Sequence, residues 1–303
     1  MAHYLSYRAV LRKRFGAPVV RVPLNGGFSC PNRDGKLDTK GCLFCDNRSF
    51  SPAALKNMES AAAQLLRRYP GGTDAKRPLI PYLQPFTNTY GSVERLRHVY
   101  EPLLDVAGVV GLAVGTRPDC FSEEIYRYLA DLAKRTCLTI EIGLQSSHDA
   151  TLARCNRRHT FRDFEEAVKR LSECSVETVA HVMLGLPGES GEMMMQTAER
   201  IATLPCSGVK IHQLMIIKET QFAREYEEGA VDVLTLETYT KLLCEFLSRL
   251  RPDQHIHRIM ADSTEKNGLL APDWSSDKSG SISFIRSFMD AHNTRQGSAY
   301  LRP

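Results

Sequence analysis

Seven short runs rich in Val, Ile and Leu, apolar on consecutive rather than alternating residues, constrain this 303-residue chain more than any other feature. They are "VVRVPLN" (19 to 25), "LIPYLQPF" (79 to 86), "VVGLAVGT" (109 to 116), "LTIEIGL" (138 to 144), "TVAHVMLG" (178 to 185), "GVKIHQLMI" (208 to 216) and "HIHRIM" (255 to 260). A strand apolar on both faces must be covered on both, which is how parallel sheets with crossover helices read. Amphipathic stretches at 52–68, 92–104, 122–135, 160–174, 190–203 and 235–250 supply those crossovers. Alternation of this kind predicts an α/β chain built as a partial (β/α)6-type, TIM-like barrel. With 43% hydrophobic content the chain can bury one large core. We expect a basic arm over 1–18, the barrel over 19–261, and a C-terminal extension over 262–303 packing on the barrel. That extension holds the single tryptophan, Trp274, and a last helix around 281–292. Its alternative role is a lid over the barrel mouth.

Composition excludes several classes. No run approaches the ~18 apolar residues of a membrane span, and the N-terminus lacks an apolar leader, so a soluble, cytoplasmic protein without a membrane partner is expected. Cysteines number nine, and six of them (Cys120, Cys137, Cys155, Cys174, Cys206, Cys244) are scattered singly, which suits a reducing compartment rather than a disulfide framework. Net charge is +4, yet residues 1 to 33 hold Arg8, Arg12, Lys13, Arg14, Arg21 and Arg33 with no Asp or Glu. This imbalance points to a polyanionic partner or to a solvated basic face.

The words after the third to sixth strands, "GTRPDC", "GLQSSHD", "GLPGES" and "HQLMIIKET", are polar or Gly-containing, and the C-terminal rim of such barrels carries the catalytic loops. On the loop after the first strand stand Cys30, Cys42 and Cys45. A structural zinc wants four protein ligands, and no fourth Cys or His lies nearby; the closest histidines in sequence are His3 and His98. Iron–sulfur clusters are held by thiolates, and a [4Fe–4S] cube held by three leaves one iron open to another ligand. Pro31, Asn32, Arg33, Asp34 and Gly41 mark a surface loop, where free thiols are a liability. Cys30, Cys42 and Cys45 are therefore the expected metal ligands.

With these words in view the chain resembles the radical S-adenosylmethionine (SAM) enzymes, whose cysteines on the loop after the first barrel strand chelate such a cluster. Their common spacing is C-x3-C-x2-C, whereas here it is C-x11-C-x2-C. The words "CPNRDG", "GCLFC", "TNTY", "GTRPDC", "EIGLQSSHDATL", "HVMLGLPGE", "KIHQL" and "QGSAY" resemble the bacterial YtqA/YhcC radical SAM subgroup, from about residue 20 to 300. That subgroup is similar to the radical SAM domain of the catalytic Elongator subunit, which works on the wobble uridine of tRNA. The resemblance implies a radical SAM barrel with two cofactors, a [4Fe–4S] cluster and S-adenosyl-L-methionine. It implies that the sulfonium's amine and carboxylate chelate the open iron, and that an electron splits the C–S bond to give a 5′-deoxyadenosyl radical.

Thr87, Asn88 and Thr89 stand where the family has a Gly-rich segment meeting the cofactor's amine; an ordinary turn is the other reading. Glu141, Gly143 and Gln145 share one face of the fourth strand by period two, and a carboxylate inside an apolar strand needs a partner, which for Glu141 is the cofactor ribose, a basic neighbour or substrate. The resemblance implies that Gln145 binds the cofactor ribose and that Arg157, in "CNRRHT", pairs with its carboxylate. A solvated helix start is the alternative for Arg157, Arg158 and His159. Arg117 and Asp119 suit a rim ion pair or a cofactor contact. "GLPGES" suits backbone approach to adenine or plain capping by Ser190. Met183, Met215 and Met193 to Met195 read as packing residues. No catalytic residue is fixed, but Lys210 and His212 share a face of the sixth strand near the mouth, and with Arg258 they are the candidates for anchoring substrate.

The function the resemblance implies is tRNA modification at the wobble uridine C5 side chain, in particular the carboxymethylaminomethyl to aminomethyl step. Arg67-Arg68, Arg157-Arg158 and the basic arm would meet phosphates. Implied partners are tRNA, a reductase or flavodoxin/ferredoxin electron donor, and a downstream methyltransferase. The alternatives are a radical SAM enzyme on a small-molecule or protein substrate, and a non-catalytic iron–sulfur protein associated with RNA.

Overall fold

The computed structural model describes residues 2–46 and 59–301. Its main sheet has seven parallel strands in the linear order β1 (Val20–Leu24), β2 (Leu79–Leu83), β3 (Gly111–Thr116), β4 (Cys137–Gln145), β5 (Glu177–Leu184), β6 (Gly208–Gln213) and β8 (His255–Arg258). Registers run Val20 against Leu79, Gly111 against Cys137, Val179 against Gly208 and Gly208 against His255. Every residue of β2 and β3 is buried, as strands covered on both faces require. The sheet is an α/β half-barrel, open between β1 and β8.

Crossovers are made by α2 (Ala61–Arg68), α3 (Val93–Leu104), α4 (Glu123–Ala133), α6 (Phe161–Glu173), α7 (Gly191–Thr203) and α9 (Leu236–Arg249). Each begins after a Ser or Thr, namely Ser60, Ser92, Ser122, Thr160, Ser190 and Thr235, whose hydroxyl accepts a backbone N–H from the first turn. The helix expected over 52–68 lies partly outside the described residues. Leu96, Tyr100, Leu129, Phe164, Leu171, Ile201 and Leu243 of these helices pack with Leu83, Val114, Ile140, Ile142 and Ile211 of the strands in one large core. On β4 the residues facing that core alternate with Thr139, Glu141, Gly143 and Gln145, so the opposite, concave face of the sheet is polar at its centre.

The segment read as a basic arm contains a helix, α1 (Tyr7–Phe15), started by Ser6 and ended by Gly16 at φ 70°. It closes the N-terminal end of the barrel. Arg14 donates to Cys137 Sγ at 2.8 Å and pairs with Glu177, the first residues of β4 and β5, and Ser6 bridges to Ile256. Exposed Arg8, Arg12 and Lys13 therefore lie on the end away from the catalytic rim, while Arg21 and Arg33 turn inward. The six basic residues do not form one surface.

Beyond β6 the apolar run breaks. Leu214 and Met215 separate β6 from β7 (Ile216–Ile217), which pairs antiparallel with β9 (Leu269–Ala271) as a small second sheet. Two short helices missed by periodicity, α5 (Asp149–Arg154) and α8 (Gln221–Glu227), sit in rim loops. Trp274 donates from Nε1 to Leu234 O at 2.9 Å and packs on Tyr239, and Ile285 and Met289 of α10 (Lys278–Ala291) enter the large core. Ala261 and Asp262 contribute to the wall of the mouth.

Candidate active site

A cavity of ≈ 220 Å³ opens at the C-terminal rim. Cys30, Cys42 and Cys45 line it, together with Thr87, Arg117, Glu141, Gln145, Arg157, Lys210, His212 and Arg258. Of the residues singled out from sequence, Asn88 and Thr89 are not brought there. Asn88 Nδ2 is shared among the carbonyls of Leu83 (3.0 Å), Pro85 (3.0 Å) and Gly115 (2.9 Å), and Thr89 Oγ1 bonds Thr116 Oγ1 (2.5 Å) and Cys120 O (2.7 Å). Both stitch the ends of β2 and β3 together.

The cysteine loop is held by side chains that take the place of secondary structure. Asn32, fully buried, donates to Asn156 O at 2.6 Å; Asn156 donates back to Gly41 O at 2.8 Å; Arg33 donates to Cys45 O. Gly41 sits at φ 76°, and a Cβ there would lie 2.9 Å from Arg33 Nε. The loop is thus latched onto the turn after α5. From that turn Arg157 donates to Cys42 Sγ at 3.2 Å, to Gly143 O, and from Nε to His159 Nε2 at 3.1 Å. Burial opposes ionisation of Cys42, yet the Arg157 and Arg117 cations hold its thiol below the ordinary value. Burial and the neighbouring Cys42 push Cys45 up to about 11. Burial and the same two arginines depress His159 to about 2, so its ring is neutral and accepts from Arg157.

Arg157 is buried and is not a helix start; α6 begins at Phe161, capped by Thr160 and Asp163. Arg158 is exposed and pairs with Asp38 at 2.7 Å. Arg117 grips Asp119 with two bonds, 2.9 and 2.8 Å, while its buried Nη1 has no partner. Gln145 Oε1 is likewise buried and unpartnered; this residue, at φ 77°, follows a register shift against β5. A Cβ on Gly143 would come within 3.0 Å of Arg157 Nη2 and Gln145 Nε2. Ser190 caps α7 and Glu189 accepts from Ser146, so "GLPGES" is a capping loop outside the cavity lining. Met183 packs in a small core cluster but, with Met215, also lines the cavity.

At the centre of the concave face the buried Glu141 carboxylate accepts from Arg21, from Lys210 Nζ at 2.8 Å and from His181 at 2.7 Å, with His257 Nδ1 at 3.5 Å. Burial alone would raise its pKa; the two cations and two imidazoles hold it well below the carboxylate range. Burial lowers Lys210 to about 8, His181 to about 4 and His257 to about 3, and takes His212 well below its ordinary value. Lys210 also bonds Tyr82 Oη at 3.0 Å, and Arg21 lies 4.4 Å from that ring. Arg21, Tyr82, His181 and His257 escaped sequence reasoning. Arg21 and His181 are polar residues set singly inside apolar strand runs, and that was the signal available; Tyr82 passes as apolar, and His257 sits among His255 and Arg258.

The fold and this rim site define a radical SAM-type half-barrel. A model of the Radical SAM superfamily matches residues 30–201, and one of the Radical_SAM C-terminal domain matches 206–291. The chain belongs to the radical SAM superfamily. It is 36% identical to the protein YtqA of Bacillus subtilis (strain 168) over 99% of its own length and 93% of YtqA. A tRNA uridine(34) acetyltransferase of Methanocaldococcus infernus is 32% identical over 40% of this chain and 22% of its own. Among solved structures, archaeal Methanocaldococcus infernus Elp3 with an N-terminal deletion superposes with a TM-score of 0.65 at 19% identity, covering 92% of this chain and 64% of that one. Enzymes of this family bind a [4Fe–4S] cluster and SAM.

The residues present fit both groups. Three thiols line one cavity, one sulfur receives N–H bonds from Arg157 and Asn32, and buried polar atoms of three lining residues, Arg117 Nη1, Gln145 Oε1 and Arg258 Nε, lack partners. Among the described residues no trio of His, Cys, Asp or Glu converges on a single ion. Three thiolates on three separate irons of a cube need no such convergence. No helix among the described residues is long and apolar enough to cross a membrane.

Proposed function

We propose that the chain is a radical SAM enzyme that modifies tRNA at the C5 side chain of the wobble uridine, at the carboxymethylaminomethyl to aminomethyl step. The observation that carries the reading is the shared cavity: Cys30, Cys42 and Cys45 line it together with the cations Lys210 and Arg258 and the neutral His212. Kinship with a tRNA uridine(34) acetyltransferase supports tRNA as the substrate class.

In this reading Cys30, Cys42 and Cys45 hold the cluster. Once loaded with SAM, the cluster supplies reductive cleavage of the sulfonium and a 5′-deoxyadenosyl radical able to take hydrogen from an unactivated C–H bond. The chain's own groups position and shield. Arg157 and Asn32 donate to Cys42 Sγ and favour its thiolate. Arg117 Nη1 and Gln145 Oε1, both buried without partners, would meet the polar ends of SAM, and Thr87 lines the same cavity. Arg157, its nitrogens already bonded to sulfur, carbonyl and imidazole, would orient the thiolate and supply positive charge to the SAM carboxylate. Glu141 balances the cations Arg21 and Lys210 around it. An external reductase or flavodoxin/ferredoxin delivers the electron, and a methyltransferase takes the aminomethyl product.

Nucleoside mass spectrometry of tRNA from cells with and without the gene tests this. The expected result is accumulation of the carboxymethylaminomethyl nucleoside in the deletion strain and its disappearance on complementation. An unchanged nucleoside profile assigns the chemistry to a small-molecule or protein substrate instead.

A further inference from the structure

Three cations converge at the concave centre of the sheet: Arg21, Lys210 and Arg258. Arg21 and Lys210 both pair with Glu141. Two other carboxylates line the cavity: Asp262 pairs with Lys278 at 2.8 Å, and Asp46 belongs to the cysteine loop. Among the described residues no carboxylate pairs with Arg258, and its Nε is buried without a hydrogen-bond partner. Its neighbours in the lining, His181 and His212, are held neutral by burial and bring no negative charge. Arg258 is partly buried and feels Asp262 and Glu141 through space, but neither forms an ion pair with its guanidinium, which stays charged and faces the cavity. The expected counter-ion is a ligand that brings the charge with it.

We propose that Arg258 is the specificity-determining residue of the substrate site, seating a carboxylate on the reacting part of the substrate, with Lys210 beside it. The seat is matched in charge, since Glu141 already serves Arg21 and Lys210 and one guanidinium is left over. It is matched in geometry, since a planar fork accepts a carboxylate with two parallel bonds. It stands on β8 and lines the same cavity as the cysteines of the loop after β1, so a substrate seated there shares the cavity with the cluster ligands. This rests on the reading that the cavity takes a substrate for radical chemistry, and it names the group that a carboxymethylaminomethyl side chain would present.

The test titrates anaerobically cluster-loaded protein, with SAM, against two matched pairs: 5-carboxymethylaminomethyluridine and its primary amide, then N-benzylglycine and its amide. Wild type is expected to favour each acid over its amide by about tenfold or more. Arg258→Met should erase the preference and Arg258→Lys should restore part of it. Binding acid and amide alike in wild type, or an undiminished preference in Arg258→Met, overturns the seat while leaving the wobble-uridine reading untouched. If neither nucleoside binds but the benzylglycine pair shows the Arg258-dependent preference, the seat stands and the uridine reading falls. Competition by inorganic phosphate stronger than by either acid, and dependent on Arg258, overturns the assignment to a carboxylate.

Discussion

Glu141 and Cys42 show how far single side chains decide the state of the site. Replacing Glu141 by Gln leaves Arg21 and Lys210 buried without their counter-ion, and breaking a buried pair from one side costs about 3–5 kcal/mol. Urea denaturation of cluster-free Glu141→Gln protein checks this; an unchanged midpoint contradicts the network. Arg157 acts on Cys42 through charge and a 3.2 Å hydrogen bond. Arg157→Met should raise the thiol pKa of Cys42 in cluster-free protein, so alkylation of that cysteine at neutral pH should slow; a rate equal to wild type would contradict the contact. At this scale the sequence was partly legible. A carboxylate inside "LTIEIGL" announces a partner, but the partners Arg21, His181, Lys210 and His257 come from four other strands, and only the register of the sheet brings them together.

Elements repeat one device, a hydroxyl cap at the head of each crossover helix. The capping box at α6 uses Thr160 and Asp163, and Thr160→Ala should cost about 1 kcal/mol by denaturant midpoint. A loss near zero would mean that the adjoining Arg157–His159 turn holds the helix start by itself. Element positions were readable because the strands are doubly buried and their apolar runs are continuous. The exceptions have physical causes. "GVKIHQLMI" reads as one strand, but it breaks at Leu214 and Met215, where β7 leaves to pair with β9, a non-local contact that periodicity cannot register. The short α1 carries Arg8, Arg12, Lys13 and Arg14, which read as a basic arm, and its caps, Ser6 and Gly16, were its main local signal. Asn88 and Thr89 resembled ligand-binding residues because a polar turn at a strand end looks the same whether its side chains bond a ligand or the neighbouring strand.

For the molecule as a whole, the interior holds several imidazoles neutral. His181 titrates near 4, His257 near 3 and His159 near 2, each pushed down first by burial, while unfolded histidine titrates near 6.5. Below pH 6.5 the unfolded chain therefore binds more protons than the folded one. Stability is fully present above that pH and falls as pH drops, by about 1.4 kcal/mol per pH unit for each such imidazole. Glu141, held well below its ordinary range, adds to the loss at still lower pH. Denaturant midpoints of cluster-free protein should fall steeply between pH 7 and pH 5, and a pH-independent midpoint would contradict neutral buried rings. Family membership was legible mainly through the rim words and the trio of loop cysteines, whose spacing departs from the common one; the cationic floor was not, since its charges are scattered from residue 21 to residue 258.

The most direct measurement is iron and sulfide content together with the electron paramagnetic resonance spectrum of anaerobically purified, dithionite-reduced protein before and after SAM is added. The account predicts a brown protein with about four irons and four sulfides per chain. Its reduced signal should shift when SAM binds, and the iron should be lost in Cys30→Ala, Cys42→Ala and Cys45→Ala. Colourless protein carrying zinc, or a cluster whose spectrum is indifferent to SAM, would contradict it.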